Sequence, residues 1–541
     1  QEDVFSYYVV AYTQDKIAAA QQRLQKELQL IGYIPYHQYI AKATEKQLKT
    51  LQDQGSVASY TLYRDWDKGF TVAENGETLY YVHAFPDADV KAIKEQLRTL
   101  NLPVLDRQDS VFILDFKDVA NVEPILETLL GIEGVESVEP KPHYELLNDK
   151  TNIVVGVADL RKRSRLFGEG QIIAIADTGL DTGRTDNSMH LDFQGRILSL
   201  QDLAYDPRGI CQGLNNPDDK RGHGTHVAGS ALGDGRRSGS NPTLHQYDRS
   251  FAGAAPEAKL IFQAIGCDQG GVSPPLLATS LFLPAYNLGA RIHSNSYGSG
   301  PTDGGYYFAD KDNDKFAYQY KNMLLVFAAG NDGSGPSTTS NNLKNGITVG
   351  GVQRDFPNSQ IYSMGPTKDG RNKPDILTPA IASLGVGIMS TKSSVQQPYP
   401  VGCRDIEGRT YYCEMAGTSM ATPNAAGSVA LIREYLIKRW NMPNPSAALV
   451  KALYLNGGDS LNGNGLPSPS YGFGRANLSN TFVTDSKVYY DWAVFDERTN
   501  GLTTGGKKTY SLPVGGDKPL RLTLTWTDKE GCSEPTCAGT L

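Results

Sequence analysis

No stretch of this 541-residue chain approaches the about 18 consecutive apolar residues that a membrane-spanning helix needs, so no membrane is expected among its partners. Nor is there a dense basic tract. Lys and Arg number 52 against 59 Asp and Glu, a net charge of −7, which argues against nucleic acid or an anionic bilayer. The chain opens Gln1-Glu2-Asp3 with neither an initiator Met nor an apolar leader, as a secreted protein does once its signal peptide is gone. Cysteine is scarce, six in all. An even set fits a disulfide-permissive compartment, with Cys403–Cys413 and Cys532–Cys537 as local pairs and Cys211 and Cys267 left over; the competing reading is free buried thiols in a cytosolic enzyme. What the chain has in quantity is Gly (56) and Tyr (29), a loop-rich composition that suits an extracellular protein.

The length calls for two to four domains. Residues 1–147 carry an internal repeat of about 70 residues. Ser6 to Tyr12 reads as a strand, followed by a helical run from Lys16 to Leu30, a strand at Tyr36 to Ala41, a helix at Glu45 to Gln54 and a strand at Val57 to Tyr63. Leu79 to Phe85 starts the order again, with helices at Val90 to Leu100 and Val122 to Leu130 and strands at Ser110 to Phe116 and Val135 to Val138. Each copy, 1–75 and 76–147, is predicted to be a β-α-β-β-α-β, ferredoxin-like α+β module. From Gly168 apolar strands (Gln171 to Ala176, Leu260 to Ala264, Arg291 to Asn295, Leu324 to Ala329) alternate with helices (Val227 to Leu232, Ala421 to Trp440). That predicts an α/β domain over 148–484, a mostly parallel sheet with helices on both faces. Residues 485–541, with strand patterns at Thr509 to Leu512 and Leu520 to Trp526, predict the start of a truncated all-β sandwich or barrel.

Three blocks carry chemistry. Ala176-Asp177-Thr178-Gly179 follows an apolar strand, so Asp177 is placed at a strand end in a partly dry setting, where a carboxylate can hold a histidine in one tautomer. Gly222-His223-Gly224-Thr225-His226 puts His223 between glycines before a helix of small residues, suited to a base facing a cleft. Gly417-Thr418-Ser419-Met420-Ala421-Thr422-Pro423 puts Ser419 at a helix N-terminus, where free N–H groups favour a developing oxyanion, with Pro423 expected in the first turn. Small residues Ala421, Ala425, Ala426 and Gly427 predict close packing of that helix. Asn331, at the end of the Leu324 to Gly330 strand, can aim its amide at the same oxyanion. Taken singly, Asp177 is a turn former, Ser419 a helix cap and Asn331 a turn residue before Asp332-Gly333.

Jointly, in the order Asp, His, Ser, these blocks resemble the subtilisin-like serine proteases (subtilases) over roughly Asn148 to Asn480. The resemblance makes Asp177, His223 and Ser419 the triad and Asn331 the oxyanion residue. It makes Asn295-Ser296-Tyr297-Gly298 a substrate-binding strand, with Gly270-Gly271-Val272 as the opposite edge; together they would hold a peptide as an added strand. Ala176 to Gly183, Arg291 to Ser296 and Gly365 to Gly370 are most similar to the oxidatively stable alkaline proteases with a C-terminal β-barrel. Ser363-Met364-Gly365-Pro366 departs from the family's usual Ser-x-Arg-Gly-Pro. The resemblance further implies a monomeric secreted zymogen whose propeptide assists folding and then blocks the cleft, with protein and peptide substrates, structural calcium and no catalytic cofactor. Both copies of the repeat look like that propeptide. Cleavage is expected between Leu147 and Asn148, and Tyr144, Glu145, Leu146 and Leu147 would then fill four subsites, favouring large apolar residues at the first and fourth. Lys162-Arg163-Ser164-Arg165 is a rival processing site, although it falls where a helix is expected. No Asp-x-Asp-x-Asp-Gly loop marks a calcium ligand set.

Three other readings compete. His223 and His226 lie three apart, as metal ligands on a helix can, but no His-Glu-x-x-His is present, and His226 is expected to be a packed structural residue. Asp-Thr-Gly occurs at both Asp177 and Asp181, which suggests an aspartic protease, yet two residues on one turn cannot come from opposed lobes. A catalytically inactive, subtilase-like binding protein is the remaining alternative; all four positions are in place against it.

Overall fold

The computed structural model describes the chain apart from residues 1–3, 14–16, 35–37, 66–77, 86, 103, 109, 120, 141–146, 206–215, 268–270, 299–301, 334, 336, 384, 399–401, 462, 464, 482–492, 499–500, 503–504, 513–519 and 532–541. It divides into two compact units, Gln1–Tyr144 and Glu145–Leu541.

The first unit begins β1 (Phe5–Tyr12), α1 (Ile17–Glu27), β2 (Gln29–Ile34), β3 (Gln38–Thr44), α2 (Glu45–Asp53) and β4 (Val57–Leu62). The same order returns as β5 (Leu79–Ala84), α3 (Val90–Thr99), β6 (Val104–Gln108), β7 (Val111–Asp115), α4 (Glu123–Leu130) and β8 (Val135–Pro140). The two sheets have equivalent orders, β2-β3-β1-β4 and β6-β7-β5-β8, and every pairing is antiparallel. β2 and β6 are the strands that the sequence patterns did not separate. The helical run, read through Leu30, stops at Glu27, and Gln29 to Ile34 turn back to pair with β3. Thr44 starts α2 with a capping box to Gln47, and Asp89 caps α3 through the N–H groups of Lys91 and Ala92.

Even the irregularities repeat. Opposite β1 the register skips Ala58 and opposite β5 it skips Glu136, so each copy carries a one-residue bulge at the start of its last strand. The two copies also touch. Tyr7 of β1 stacks on Phe85 with ring centroids 4.2 Å apart, and Tyr63 meets the same ring edge-on at 5.1 Å. Asp87 accepts from the Tyr7 hydroxyl at 2.7 Å and from Lys42 Nζ at 2.8 Å, and the Tyr63 hydroxyl donates to the carbonyl of the bulged Glu136 at 2.9 Å.

The second unit runs α5 (Leu147–Val154), α6 (Val157–Ser164), β9 (Ile172–Asp177), β10 (Ile197–Asp202), α7 (His223–Leu232), β11 (Lys259–Ala264), α8 (Ala278–Asn287), β12 (Ile292–Asn295), α9 (Phe308–Gln319) and β13 (Leu324–Ala328). It continues β14 (Ile347–Gln353), β15 (Gln360–Ile361), β16 (Ile376–Ile381), β17 (Ile388–Thr391), β18 (Arg404–Asp405), β19 (Tyr412–Met415), α10 (Thr418–Arg439), α11 (Ala447–Asn456) and α12 (Leu478–Thr481). The main sheet has the order β10-β11-β9-β12-β13-β14, with β16 and the short β15 also on β14, and only β15 is antiparallel. Its strands are apolar throughout because both faces are covered. Ile173 and Ile175 of β9, Leu260 and Phe262 of β11 and Leu324 and Val326 of β13 join one core with α7, α10 and α11. The alternate residues, Ala174 and Ala176, Ile261, Leu325 and Phe327, join the other with α8 and α9.

α10 crosses the first core and is buried along most of its length. A Cβ on Gly427 would stand 2.6 Å from both Ala231 O and Ala254 Cβ, so α7 and α10 approach closely there because that position carries no side chain. Cys403 and Cys413 are disulfide-bonded, as is Cys267, while Cys211, Cys532 and Cys537 lie outside the described residues.

The strands expected at Thr509 to Leu512 and Leu520 to Trp526 do not form: among the described residues beyond 484 none belongs to a ladder. The later segment spends its polar groups on the rest of the unit instead. Arg521 donates to Asn456 O, Asn456 to the Thr523 hydroxyl and Thr525 to Ala448 O, while Asp528 and Asn345 bond reciprocally. Leu520, Leu522, Leu524 and Trp526, the alternate residues, are exposed.

Candidate active site

The carboxyl ends of β9, β12 and β13 lie side by side, which is where open parallel sheets assemble sites from distant segments. Asp177 is the last residue of β9 and is 1% exposed. Its Oδ1 lies 2.7 Å from His223 Nδ1 and accepts the Thr178 N–H at 2.7 Å. His223 opens α7 directly after Gly222, whose φ of 74° is a left-handed backbone that favours glycine. A Cβ on Gly224 would sit 2.3 Å from Gly179 O, so the histidine loop reaches the aspartate loop only because that residue is bare. Burial depresses the imidazole's affinity for a proton, but the charge and hydrogen bond of Asp177, with the charge of Asp219, outweigh it and raise the His223 pKa. The ring keeps 27% of its side-chain surface exposed.

Ser419 is the second residue of α10, in the turn whose N–H groups have no intrahelical acceptor. The helix starts at Thr418 rather than at Ala421, so Pro423 falls inside it and not in its first turn. The N–H that Pro423 lacks would have bonded Ser419 O. The Ser296 hydroxyl fills the gap, donating to Ser419 O at 2.9 Å, while Ser419 Oγ donates to Ser296 O at 3.0 Å. The nucleophile candidate is therefore turned toward the β12 segment rather than toward His223.

Asn331 follows β13. Its Oδ1 accepts both the Thr418 N–H at 2.9 Å and the Thr418 hydroxyl at 3.0 Å, which fixes the amide plane and leaves Nδ2 as the outward donor. Gly417 at φ 137° passes close by; a Cβ there would sit 3.0 Å from that Nδ2.

The expected substrate strand divides. Ser296, Tyr297 and Gly298 continue past β12 toward Ser419, but Asn295 is 0% exposed and spends its amide on His293 O and Val326 O while accepting from the Tyr297 hydroxyl. It braces the segment from below and does not line it. Gly271 and Val272 lie in the turn after β11, where Val272 bridges Gly266; Gly270 lies outside the described residues. Leu147 and Asn148 open α5, and residues 141–146 lie outside the described residues.

His226 is buried and bonded to Ile388 O at 2.8 Å; burial pushes its pKa down to about 3, so it stays neutral. Asp181 accepts from His190 N and from the backbone and hydroxyl of Ser394, which leaves it no part in a carboxylate pair with Asp177. The basic run Lys162-Arg163-Ser164 ends α6. Among the described residues no group of three or more His, Cys, Asp or Glu converges on a point where a metal ion could be held. Two participants had no sequence signal of their own: Thr418, inside a recognised block, and Asp219, in the charged run Asp218-Asp219-Lys220-Arg221.

Known proteins are similar to this chain to different extents. The serine protease/ABC transporter B family protein tagB of Dictyostelium discoideum is 28% identical over 393 residues, covering 55% of this chain and 20% of that protein. The serine protease AprX of Bacillus subtilis is 29% identical over 349 residues, covering 60% of this chain and 68% of AprX. The crystal structure of fervidolysin from Fervidobacterium pennivorans, a keratinolytic enzyme related to subtilisin, matches at 20% identity and a TM-score of 0.42, covering 77% of this chain and 63% of that one. The chain spans about a fifth to a quarter of the length of the Dictyostelium relatives. The model of the subtilase family matches residues 168–474, more than half of the chain and the stretch that contains Asp177, His223, Asn331 and Ser419: the chain belongs to the subtilase family.

Proposed function

We propose that this chain is a serine endopeptidase that cleaves proteins and peptides by acyl transfer. The observation that carries the reading is the Asp177–His223 pair at 2.7 Å beside a helix N-terminus that presents Ser419 and an Asn331 whose Oδ1 is already occupied. On peptide binding, Ser419 Oγ leaves Ser296 O and gives its proton to His223 Nε2 as it attacks the scissile carbonyl. Asp177 keeps Nδ1–H in place and stabilises the imidazolium. Asn331 Nδ2 and the Ser419 N–H take the oxyanion. His223 then protonates the leaving amine, and water resolves the acyl-enzyme by the same path in reverse.

The wider reading is a secreted zymogen. The two β-α-β-β-α-β copies serve as its propeptide, cleavage follows Leu147, and large apolar residues are preferred at the first and fourth subsites. Labelling with a fluorophosphonate tests the core of it: the chain should react once incubation has freed the cleft, and Ser419→Ala and His223→Ala should not. Labelling of His223→Ala at the unaltered rate would overturn the mechanism.

A further inference from the structure

Asp219 lies four residues before His223 and is fully buried. Its partners are all neutral. Oδ1 accepts from the Thr178 hydroxyl at 2.8 Å and from Gly222 N at 2.9 Å; Oδ2 accepts from Thr225 N at 2.7 Å and from its hydroxyl at 2.6 Å. No ion pair with Lys or Arg is formed to it among the described residues. Thr178 is the residue after Asp177, and its hydroxyl also accepts the Gly224 N–H at 2.9 Å. Gly222 and Gly224 flank His223. One carboxylate thus grips the neighbour of the acid and both sides of the base. It also does the capping that Gly222 cannot do for α7, since a glycine N-cap has no side-chain acceptor.

We propose that Asp219 is a positioning residue of this site: it fixes His223 against Asp177 and adds a second negative charge from which the imidazolium gains stability. The inference rests on the serine-endopeptidase reading for its catalytic meaning, although the geometry is independent of it. Burial raises the Asp219 pKa to about 6 against the lowering effect of its hydrogen bonds, so the carboxylate is ionised at neutral pH. The other groups around His223 are accounted for. Asp177 approaches from β9, His226 on α7 is neutral, and Asp181 is held by Ser394 and His190 while its own N–H donates to the Thr225 hydroxyl. Lys220 and Arg221 are the cationic residues between Asp219 and Gly222.

The test follows the His223 ring by NMR in the full chain labelled with 13C-histidine, in a Ser419→Ala background that cannot process itself, with His223→Ala for assignment. Asp219→Asn should lower the His223 pKa by about half a unit to one unit, because the second charge is gone. Thr178→Ala, which cuts one of the four bonds and keeps the carboxylate, should move it the same way by less; Asp219→Glu should restore most of it. A His223 that titrates unchanged in both Asp219→Asn and Thr178→Ala, with only a lower Tm, overturns the proposal. This readout needs no turnover, so it separates from failure of the protease reading, which would show as a chain inert to the fluorophosphonate both before and after incubation.

Discussion

Thr418 spends two hydrogen bonds on one oxygen of Asn331, and that has kinetic consequences. Asn331→Ala should lower kcat on the order of 10²–10³-fold with KM little changed, the loss familiar from removal of one oxyanion donor in subtilisin. Thr418→Val keeps the backbone bond and loses the hydroxyl one, so its loss should be smaller and again confined to kcat. Asn331→Asp still offers Thr418 an oxygen but sets a negative charge where the oxyanion forms, and it should be at least as damaging as alanine. Steady-state kinetics on a peptide substrate checks all three; a KM effect that dominates would contradict the role. His223 adds a pH signature. Its raised pKa places the acid limb of kcat/KM above the ordinary histidine value of about 6.5. The same shift stabilises the fold fully below that value, and the gain is lost as pH rises through the folded pKa. The acid limb should move down in Asp177→Asn.

At the level of elements, the contact between the two copies of the first unit predicts that they unfold together. Phe85 is buried against both Tyr7 and Tyr63, and Phe85→Ala should cost about 3–5 kcal/mol, the range for a buried phenylalanine. Hydrogen exchange in the Ser419→Ala chain reads the result: amides of β1 and β5 should lose protection together, and a β1 that opens alone would refute the coupling. In the second unit, Gly427→Val should be poorly tolerated, since even its Cβ meets Ala231 O.

Much of this was legible from sequence. Each chemical block sits at an element end because a buried apolar run must stop where a polar side chain is needed, and that transition is visible in Ile175-Ala176-Asp177. What was not legible depends on tertiary pairing. β2 became a strand only because β3 was there to receive it, and Leu520 to Trp526 find no ladder partner among the described residues. Asn295 has the pattern of a binding residue but is consumed by Val326 O. Nothing in Asp218-Asp219-Lys220-Arg221 sets one carboxylate apart from a solvated run.

For the whole molecule, the zymogen reading predicts that the intact chain shortens by about 147 residues on incubation while Ser419→Ala stays full length; mass spectrometry of the new N-terminus places the cut. A product beginning after Arg165 would favour the basic run instead. The doubled first unit leaves one further consequence, in the way a duplication diverges. Six residues before the bulged Ala58 stands Gln52, whose amide caps that residue's carbonyl at 3.1 Å; six before the bulged Glu136 stands Leu130, which has no donor to offer. The second copy's carbonyl is met by Tyr63 of the first. The same bulge is thus closed from within in the first copy and by a residue of the first copy in the second, so the two modules are not interchangeable: Gln52→Leu strips only the Ala58 carbonyl of its cap, whereas Tyr63→Phe strips that of Glu136 and with it a hydrogen bond that joins the copies.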